Sequence, residues 1–462
     1  MTNITVDFGK KKGAIRAMHA VGQPPRLGAR NDFMHYLTDA HIPYTRLHDM
    51  GGGFGGFLYV DIPNLFRDFD ADENDPASYD FAFTDDLLKA IYAAKSAPIF
   101  RLGVTIENWR GIKPYRIDPP KDFNKWARIC EHVVRHYNEG WANGFTYGVR
   151  YWEIWNEPDG GADPNKSQMW TGTMTDYLDL YEITAKHLKA CFGDTIAVGG
   201  FASCGFYDVV SHPERYGEDW VPTLDQDTVK ANGLNDRPAY FVEFFAAFLD
   251  RVKKSGAPMD FFSWHSYASP KDTVKMADFV DRMLTKYGFG DVETQLNEWN
   301  PAHSVDNRGT SYSAAVDAEM MLRFQDKKTT ILCFYDARIG QSVYGGLFNP
   351  LTYKPFCTYY PFVAFGEMYE AGTQVEAAVD TDALAAAKGS NITAVGAVNA
   401  DGSEKFLLIA NTGVDEEVHT NFSGAKVYQI DEAHLMTEVE LDPERFIMPK
   451  NTVIYLKWKA EA

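Results

Sequence analysis

The sequence predicts a (β/α)₈ TIM barrel with a C-terminal antiparallel β-sandwich domain. Between residues 14 and 371, short apolar runs alternate with helix-length segments, and after Gly372 only short strand-like runs remain. The 462 residues suffice for one large domain with a smaller one attached. A doubly wound parallel sheet is the alternative, because it shows the same alternation of strand and helix.

Eight apolar runs are the expected barrel strands. They are rich in Val, Ile and aromatic residues and lack strict alternation, as expected for parallel strands that are buried on both faces. In chain order they are residues 14–22, 42–49, 97–104, 149–158, 195–202, 258–268, 291–300 and 329–338.

The segments between these runs have the spacing of amphipathic helices, with apolar residues at i, i+3 and i+4. Thr84 and Asp85 offer N-cap chemistry at the start of one segment, and Gly140 offers a C-cap at the end of the next. The predicted helices are residues 84–97, 121–140, 175–193, 237–256, 272–288 and 311–325.

The C-terminal region contains short strands separated by turn residues, with no helix between them, which is typical of a β-sandwich. The clearest strands are residues 392–399, 404–411, 425–431 and 451–459. Another run, at 3–9, precedes the barrel and would lack a partner, so we predict that it pairs with the C-terminal strands. The expected division is a barrel at 10–371 and a sandwich built from 1–9 and 372–462.

Composition excludes several classes of function. Lys and Arg number 45 against 64 Asp and Glu, and the net charge of −19 argues against binding to nucleic acid or to anionic membranes. The five cysteines are scattered, without a C-x-x-C pair, which favours a reducing compartment. No signal peptide and no apolar stretch of membrane-spanning length is found. These features predict a cytoplasmic protein, and homo-oligomerisation is left open.

The chemistry of the predicted barrel lies at the carboxyl ends of its strands, where the reactive groups of such barrels gather. Strand 4 ends in WEIWNEPD and strand 7 in TQLNEWN, which place Glu157 and Glu298 at the rim. The other rim residues are Asn156, Arg46, His48, Asp49, Glu107, Asn108, Trp109, His265, Tyr267, Trp299, Tyr335 and Asp336.

Two carboxyl groups at one barrel mouth suit retaining glycoside hydrolysis. One carboxyl must be protonated to assist the leaving oxygen, and the other must be ionised to attack the anomeric carbon. Each Glu follows an Asn and has a Trp nearby, and aromatic faces stack on sugar rings. Sugar stacking is therefore the expectation for Trp299, and for Trp109, Trp155 and Tyr335 it competes with a position in the core. No metal or organic cofactor is needed for this reaction.

The motifs WNEPD (155–159) and NEW (297–299) resemble the acid/base and nucleophile motifs of clan A of the glycoside hydrolases. Together with His-x-Tyr on strand 6, LHD on strand 2 and the C-terminal strands, they resemble glycoside hydrolase family 39, which includes β-xylosidases and α-L-iduronidases. The resemblance implies that Glu157 is the acid/base and Glu298 the nucleophile.

The same resemblance assigns roles to the neighbouring polar residues. It implies that Asn156 binds the sugar 2-hydroxyl, that Tyr267 positions the nucleophile, and that His265 contacts the sugar near it. His48 and Asp49 are further candidates for substrate binding. The glycine-rich run that begins at Met50 is not part of the family pattern, and it leaves the substrate specificity open.

Two other features suggest no phosphate or metal chemistry, and for the glycine-rich run a substrate-facing loop and an ordinary cluster of tight turns are both open interpretations. The glycine-rich run has no Gly-Lys-Ser/Thr and is not a phosphate loop. His132 and His136 are four residues apart on a predicted helix, but no third zinc ligand is apparent there, so a solvated helix face is expected.

We therefore predict a retaining, exo-acting glycosidase of the β-xylosidase type that acts on a small oligosaccharide or glycoside. One alternative keeps the mechanism and changes the sugar to arabinose, galactose or a uronic acid. A uronic acid would require a cation in the pocket, for which Arg46, Arg110 and Arg338 are candidates. A non-catalytic carbohydrate-binding barrel is a second alternative, and a partner-binding role of the sandwich could coexist with the enzyme.

Overall fold

The computed structural model describes residues 1–27, 30–49, 60–105, 117–163, 167–231 and 237–460. The chain begins with strand β1 (Thr2–Ala14), and eight parallel strands then close into a barrel in sequence order, as predicted. The barrel strands are β2 (Ala17–Gly22), β3 (Tyr44–Leu47), β4 (Ala97–Leu102), β5 (Tyr151–Ile154), β6 (Ala197–Ser203), β7 (Phe261–Ser266), β8 (Glu293–Trp299) and β9 (Ile331–Phe334).

Helices surround the barrel and return the chain from the end of one strand to the start of the next. All six predicted helices are present, with ends shifted by at most four residues. The described helices are α1 (His35–Asp39), α2 (Ile62–Leu65), α3 (Ala82–Ala93), α4 (Phe123–Asn138), α5 (Met174–Phe192), α6 (Tyr207–Ser211), α7 (Gln226–Ala231), α8 (Arg237–Ser255), α9 (Pro270–Tyr287), α10 (Ser311–Phe324), α11 (Tyr360–Ala371) and α12 (Ala383–Ala387).

The remaining strands form a separate nine-stranded sheet. They are β10 (Thr373–Thr381), β11 (Ile392–Val398), β12 (Glu404–Asn411), β13 (Glu416–Thr420), β14 (Lys426–Ile430), β15 (Leu435–Val439), β16 (Arg445–Met448) and β17 (Thr452–Lys459). Their order is β15-β14-β17-β12-β11-β10-β1-β13-β16. The pairing of β1 with the C-terminal strands is confirmed. The sheet is mainly antiparallel, as predicted, with one parallel pair, β1 and β13, and the short helix α12 lies between β10 and β11.

Side chains from both halves of this sheet share one core, as expected of a sandwich. Ile4 and Val6 on β1 and Val418 on β13 join Leu407 on β12 and Leu456 on β17 in a single apolar cluster. The opposite faces of β11, β12 and β17 contact the barrel helices α10 and α11. These strands are therefore buried on both faces, and the sheet is fixed against the barrel.

Within the described ranges, no helix is both long and apolar enough to span a membrane.

Candidate active site

Glu157 lies in the loop that follows β5, and its backbone is constrained. Trp155 and Glu157 have φ values of 72° and 47°, in the left-handed region that non-glycine residues seldom adopt. The Glu157 N–H donates to the carbonyl of Ala202 on β6, at 3.0 Å. This hydrogen bond ties the loop to the neighbouring strand end, with the Glu157 side chain only 19% exposed.

Glu298 owes its orientation to an irregularity in β8. Trp264 is paired with Leu296 and His265 with Glu298, so Asn297 is an extra residue on β8. A bulge of this kind breaks the alternation of a strand and redirects a side chain. As a result, Asn297 and Glu298 both contact residues inside the barrel, although they are consecutive.

The two carboxyl groups face one another across the mouth. One oxygen of Glu157, one oxygen of Glu298 and one ring nitrogen of His265 all lie within 4.8 Å of one another. Carboxyl groups about 5–5.5 Å apart are typical of retaining glycosidases, whereas inverting enzymes need about 6.5–9.5 Å to admit a water molecule.

The hydrogen-bond partners of the two carboxyl groups differ. Glu298 accepts hydrogen bonds from the Tyr267 hydroxyl and from Arg46 Nη1, the latter at 3.1 Å. Glu157 Oε1 lies 2.8 Å from Nδ1 of His265. The charge of Arg46 and the hydroxyl of Tyr267 stabilise the ionised form of Glu298, and the charges of Arg46 and Arg237 also lower the pKa of Glu157.

The electrostatics of the pair follow from this difference. Burial raises the pKa of both Glu157 and Glu298 to about 7, and the charge of Glu157 further raises the pKa of Glu298. Two carboxyl groups coupled this closely titrate as a pair that holds one proton over a range of pH. The hydrogen bonds from Tyr267 and Arg46 favour the anion at Glu298.

His265 is fully buried between the two carboxyl groups. Burial lowers its pKa to about 4, so the ring is neutral near pH 7. Its Nε2 has no hydrogen-bond partner and lies 3.8 Å from Oε2 of Glu298. An unpaired buried polar atom at this position is available to a substrate hydroxyl.

A buried polar network beneath the mouth supports these groups, and sequence reasoning missed most of it. Arg46 binds Glu153 at 2.7 Å, and its Nη2 donates to Oδ1 of Asn156 at 2.6 Å. Glu153 also accepts from Ser263 Oγ at 2.6 Å and from Asn297. The available signal was a charged residue within the apolar run of β5. Arg46 thus fixes Glu298 and Asn156 relative to the barrel floor.

His48, Asp49 and Tyr335 form a second group at the mouth. Nε2 of His48 lies 3.2 Å from Oδ1 of Asp49, which also accepts from Thr105 at 2.8 Å. The Tyr335 hydroxyl donates to Oδ2 of Asp49 at 2.7 Å and accepts from Gln23 at 2.6 Å. The hydroxyl of Tyr335 therefore holds Asp49 in place, and only 2% of this tyrosine is exposed.

The structure contradicts the predicted sugar stacking of Trp299, and it does not describe Trp109. Trp299 is fully buried, with its ring 5.2 Å from Phe334 and stacked at 6.3 Å on Phe362 of α11. The bulge at Asn297 turns Trp299 towards the helix layer, so the prediction for this residue is wrong. Trp109 lies outside the described residues, as does the glycine-rich segment at 50–59.

Further aromatic residues near Tyr267 were not identified from the sequence. The rings of His303 and Tyr344 lie 5.2 Å and 5.1 Å from the Tyr267 ring. Both residues lie in loops after barrel strands, where no motif marks them. They place an aromatic wall beside Glu298.

The site also has the donor atoms of a metal centre. Glu157, His265 and Glu298 could together hold a divalent cation. A cation bound there would occupy both carboxyl groups, so it would block the acid and nucleophile chemistry.

The barrel carries two facing glutamate side chains, one after the end of β5 and one near the end of β8. This arrangement defines a class of glycoside hydrolase-like barrels. Residues 4–327 match the model of glycosyl hydrolases family 39. The chain belongs to this family.

A curated relative and solved structures agree with this assignment. The chain is 24% identical over 326 residues to a β-xylosidase from Geobacillus stearothermophilus, a match covering 62% of this chain and 55% of the relative. The match thus spans about half the length of that relative.

Two solved structures are similar over nearly their whole length. A glucosidase from Croceicoccus marinus has a TM-score of 0.74 at 19% identity, covering 100% of this chain and 99% of its own. A GH39 β-xylosidase from Caulobacter crescentus has a TM-score of 0.67 at 17% identity, with 99% and 100% covered. At these identities the likeness concerns the fold.

Proposed function

We propose that this protein is a retaining, exo-acting glycosidase of the β-xylosidase type. The observation that carries the proposal is the Glu157–Glu298 pair, whose oxygens approach within 4.8 Å in unlike hydrogen-bonding surroundings. The substrate is a small oligosaccharide or glycoside, and both chemical roles belong to side chains.

In the first step Glu298 attacks the anomeric carbon while Glu157 donates its proton to the leaving oxygen. The new ester bond removes the negative charge of Glu298. Because that charge had raised the pKa of its neighbour, the pKa of Glu157 falls in the intermediate. Glu157 is then ionised and takes a proton from the water that releases the sugar.

The surroundings of the mouth support a neutral sugar. The guanidinium of Arg46 is already bound to Glu153, Glu298 and Asn156. Arg338 Nε donates to Gln23 Oε1 at 2.6 Å. These two arginines are therefore engaged by protein groups, and the third candidate, Arg110, lies outside the described residues. Xylose is the first choice because the curated relative is named a β-xylosidase, and glucose the second because a similar structure is named a glucosidase.

A panel of nitrophenyl glycosides tests the sugar. We expect the β-xyloside to be hydrolysed with the highest kcat/KM, with β-glucoside, α-arabinoside, β-galactoside and β-glucuronide as comparisons. Preferential hydrolysis of the glucuronide would contradict the neutral-sugar proposal. No hydrolysis of any member would favour a non-catalytic carbohydrate-binding barrel.

Azide rescue tests the two roles. In Glu157→Ala, azide should release the accumulated glycosyl-enzyme as the β-glycosyl azide. In Glu298→Ala, azide enters from the vacated face of a β-glycoside and should give the α-glycosyl azide, provided the substrate carries a good leaving group. NMR of the products distinguishes them. Exchanged configurations would mean that the two roles are reversed.

A further inference from the structure

A carboxylate, an imidazole and a thiol converge on the outside of the barrel, between α4 and α5. Glu131 lies on α4, and His187 and Cys191 lie one turn apart on α5. One donor atom from each residue lies within 4.8 Å of the other two. Nε2 of His187 is 2.6 Å from Oε2 of Glu131 and 3.9 Å from Sγ of Cys191.

These separations are close to those of a metal site. Zinc bonds of about 2.0–2.3 Å at tetrahedral angles place neighbouring donor atoms about 3.3–3.6 Å apart. The nitrogen–oxygen pair is shorter than this and the nitrogen–sulfur pair slightly longer. The oxygen and the sulfur lie within 4.8 Å of one another. Side-chain adjustments would therefore bring the three donors to a common ion, with His187 between the other two.

The cluster is separate from the catalytic carboxyl groups. His187 and Cys191 lie near the C-terminal end of α5, which leads back to the start of β6. In a β/α barrel, the strand starts lie at the face opposite the active-site mouth. An ion at this cluster would therefore bridge two outer helices at the far end of the barrel and take no part in the reaction.

The cluster is accessible and its carboxylate is already oriented. The side chains of Glu131 and His187 are 14% and 30% exposed. Cys191 is the one cysteine that is not buried. Arg135 Nε donates to Oε1 of Glu131 at 2.7 Å, which leaves Oε2 on the side of His187. Outer hydrogen bonds of this kind are typical partners of metal-binding carboxylates.

We propose that Glu131, His187 and Cys191 form a binding site for Zn²⁺ or a similar soft divalent cation, with a water molecule in the fourth position. A thiolate and an imidazole select such cations over Ca²⁺ and Mg²⁺, which prefer oxygen ligands. On binding, the metal–sulfur bond replaces the S–H bond of Cys191, and its proton passes to solvent. The Nε2 atom of His187 likewise gives up the proton that it donates to Glu131, so that the neutral ring binds the ion through Nε2 and keeps its proton on Nδ1. The bound ion links α4 to α5 and stabilises the folded state.

The chain contains a matched control for this site. His419 lies 3.1 Å from Oε1 of Glu417, and Arg445 donates to the same carboxylate at 2.7 Å. Arg445, Glu417 and His419 thus have the same residue types as Arg135, Glu131 and His187, but no thiol completes the group. Among the described residues, it is not part of any cluster with three metal-ligating donors.

The test is titration of the metal-free protein with Co²⁺, a coloured substitute for Zn²⁺. The wild type should develop a sulfur-to-cobalt charge-transfer band, which reports binding at Cys191 and not at Glu157, His265 and Glu298, and Zn²⁺ should abolish the band. Cys191→Ser should lose the band, and His187→Ala should weaken Co²⁺ binding at least about 10-fold. His419→Ala should behave as the wild type.

The wild type alone can overturn the proposal, so the test does not depend on the variants folding. Absence of the band at millimolar Co²⁺ and pH 8 would contradict it, as would a band that survives in Cys191→Ser. An equal loss of binding in His419→Ala would mean that surface histidine–carboxylate pairs bind the ion non-specifically. Zn²⁺ should also raise the Tm of the wild type but not that of Cys191→Ser.

Discussion

The hydroxyl of Tyr267 donates to Glu298, the proposed nucleophile. Tyr267→Phe removes this donor and retains the ring. Because the hydroxyl fixes the geometry and charge of the attacking group, we expect kcat to fall about 10²-fold while KM changes less than about 3-fold. Steady-state kinetics on a nitrophenyl glycoside provide the measurement.

Tyr151→Phe is the control, because its hydroxyl contacts Glu293 at the start of β8, away from the mouth. Both constants should remain unchanged in this variant. A raised KM with an unchanged kcat in Tyr267→Phe would mean that this hydroxyl binds the ground-state sugar.

The guanidinium of Arg46 lowers the pKa of Glu298, which burial alone would raise further. Arg46→Lys loses the planar fork that reaches Glu153, Glu298 and Asn156 together. The pKa of Glu298 should rise, so a smaller fraction of it is ionised at a given pH. We therefore expect the acidic limb of the kcat/KM profile to move to higher pH by about one unit.

Arg150→Lys, which alters an arginine that hydrogen-bonds the backbone of Asp194 at the other end of the barrel, should leave the pH profile unchanged. An acidic limb that stays in place in Arg46→Lys would show that this arginine does not control ionisation of the nucleophile.

Sequence reasoning located the residues at the strand ends but not the orientation of each side chain. Glu157, Glu298, His265 and Tyr267 were identifiable because all barrel strands end at one face. The side chain of Trp299 was wrongly predicted to face the mouth, because the bulge at Asn297 cannot be recognised from the sequence. The network around Glu153 depends on which strands are adjacent, and that is visible only in the closed barrel.

Among the structural elements, α10 carries an unusual carboxyl group. Asp317 is fully buried, and its Oδ1 has no hydrogen-bond partner. Burial raises its pKa well above the usual value, so the folded state retains a proton that the unfolded chain releases above about pH 4. The raised pKa of Asp317 therefore adds to the free energy of unfolding at low pH. This contribution is lost as the pH rises from about 4 towards the folded-state pKa.

Asp317→Asn removes this titration and keeps the size of the side chain. We expect the Tm of Asp317→Asn minus that of the wild type to increase between pH 4 and pH 8, as measured by thermal unfolding. Asp278→Asn, at a surface carboxylate that is 59% exposed, is the control and should show no such trend. A constant difference in Tm would indicate that Asp317 is ionised in the folded protein.

The elements themselves were largely predictable, because apolar periodicity is a strong local signal. Helix ends were less so: α3 begins at Ala82, and the predicted cap residue Asp85 instead accepts hydrogen bonds from His136 and Tyr137 of α4. Gly140, with a φ of 76°, does follow the end of α4. Tertiary contacts thus decided the role of Asp85. They also bury His132 and His136, so the prediction of a solvated helix face for this pair is wrong.

At the scale of the whole molecule, β1 joins the first residues of the chain to the last domain. Val6 on β1 is 4% exposed and packs in the sandwich core, whereas the neighbouring Thr5 is exposed. Val6→Asp places an unpaired charge in that core and should lower the free energy of unfolding by more than about 3 kcal/mol.

Thr5→Asp introduces the same charge one residue away on the outer face and should change stability by less than about 0.5 kcal/mol. Chemical denaturation followed by fluorescence compares the two variants. Equal stabilities would contradict the assignment of β1 to the core of the sandwich.

The overall architecture followed from the alternation of strands and helices, but the order of the nine-stranded sheet did not. The sequence gives no sign that β1 lies between β10 and β13, since that order depends on pairings across more than 350 residues. Likewise, the apolar run of β12 reflects burial between the sandwich core and the barrel helices, which a strand pattern alone does not reveal.

The most direct test of the two-carboxyl mechanism is mass spectrometry of Glu157→Ala after mixing with a dinitrophenyl β-xyloside. Loss of the acid/base slows release of the sugar more than its attachment, because the leaving group needs no proton. We expect one pentosyl group per chain, attached to Glu298 in the peptide map and removed by azide. A pentosyl group on another residue, or turnover without any covalent adduct, would contradict the assignment of Glu298 as the nucleophile.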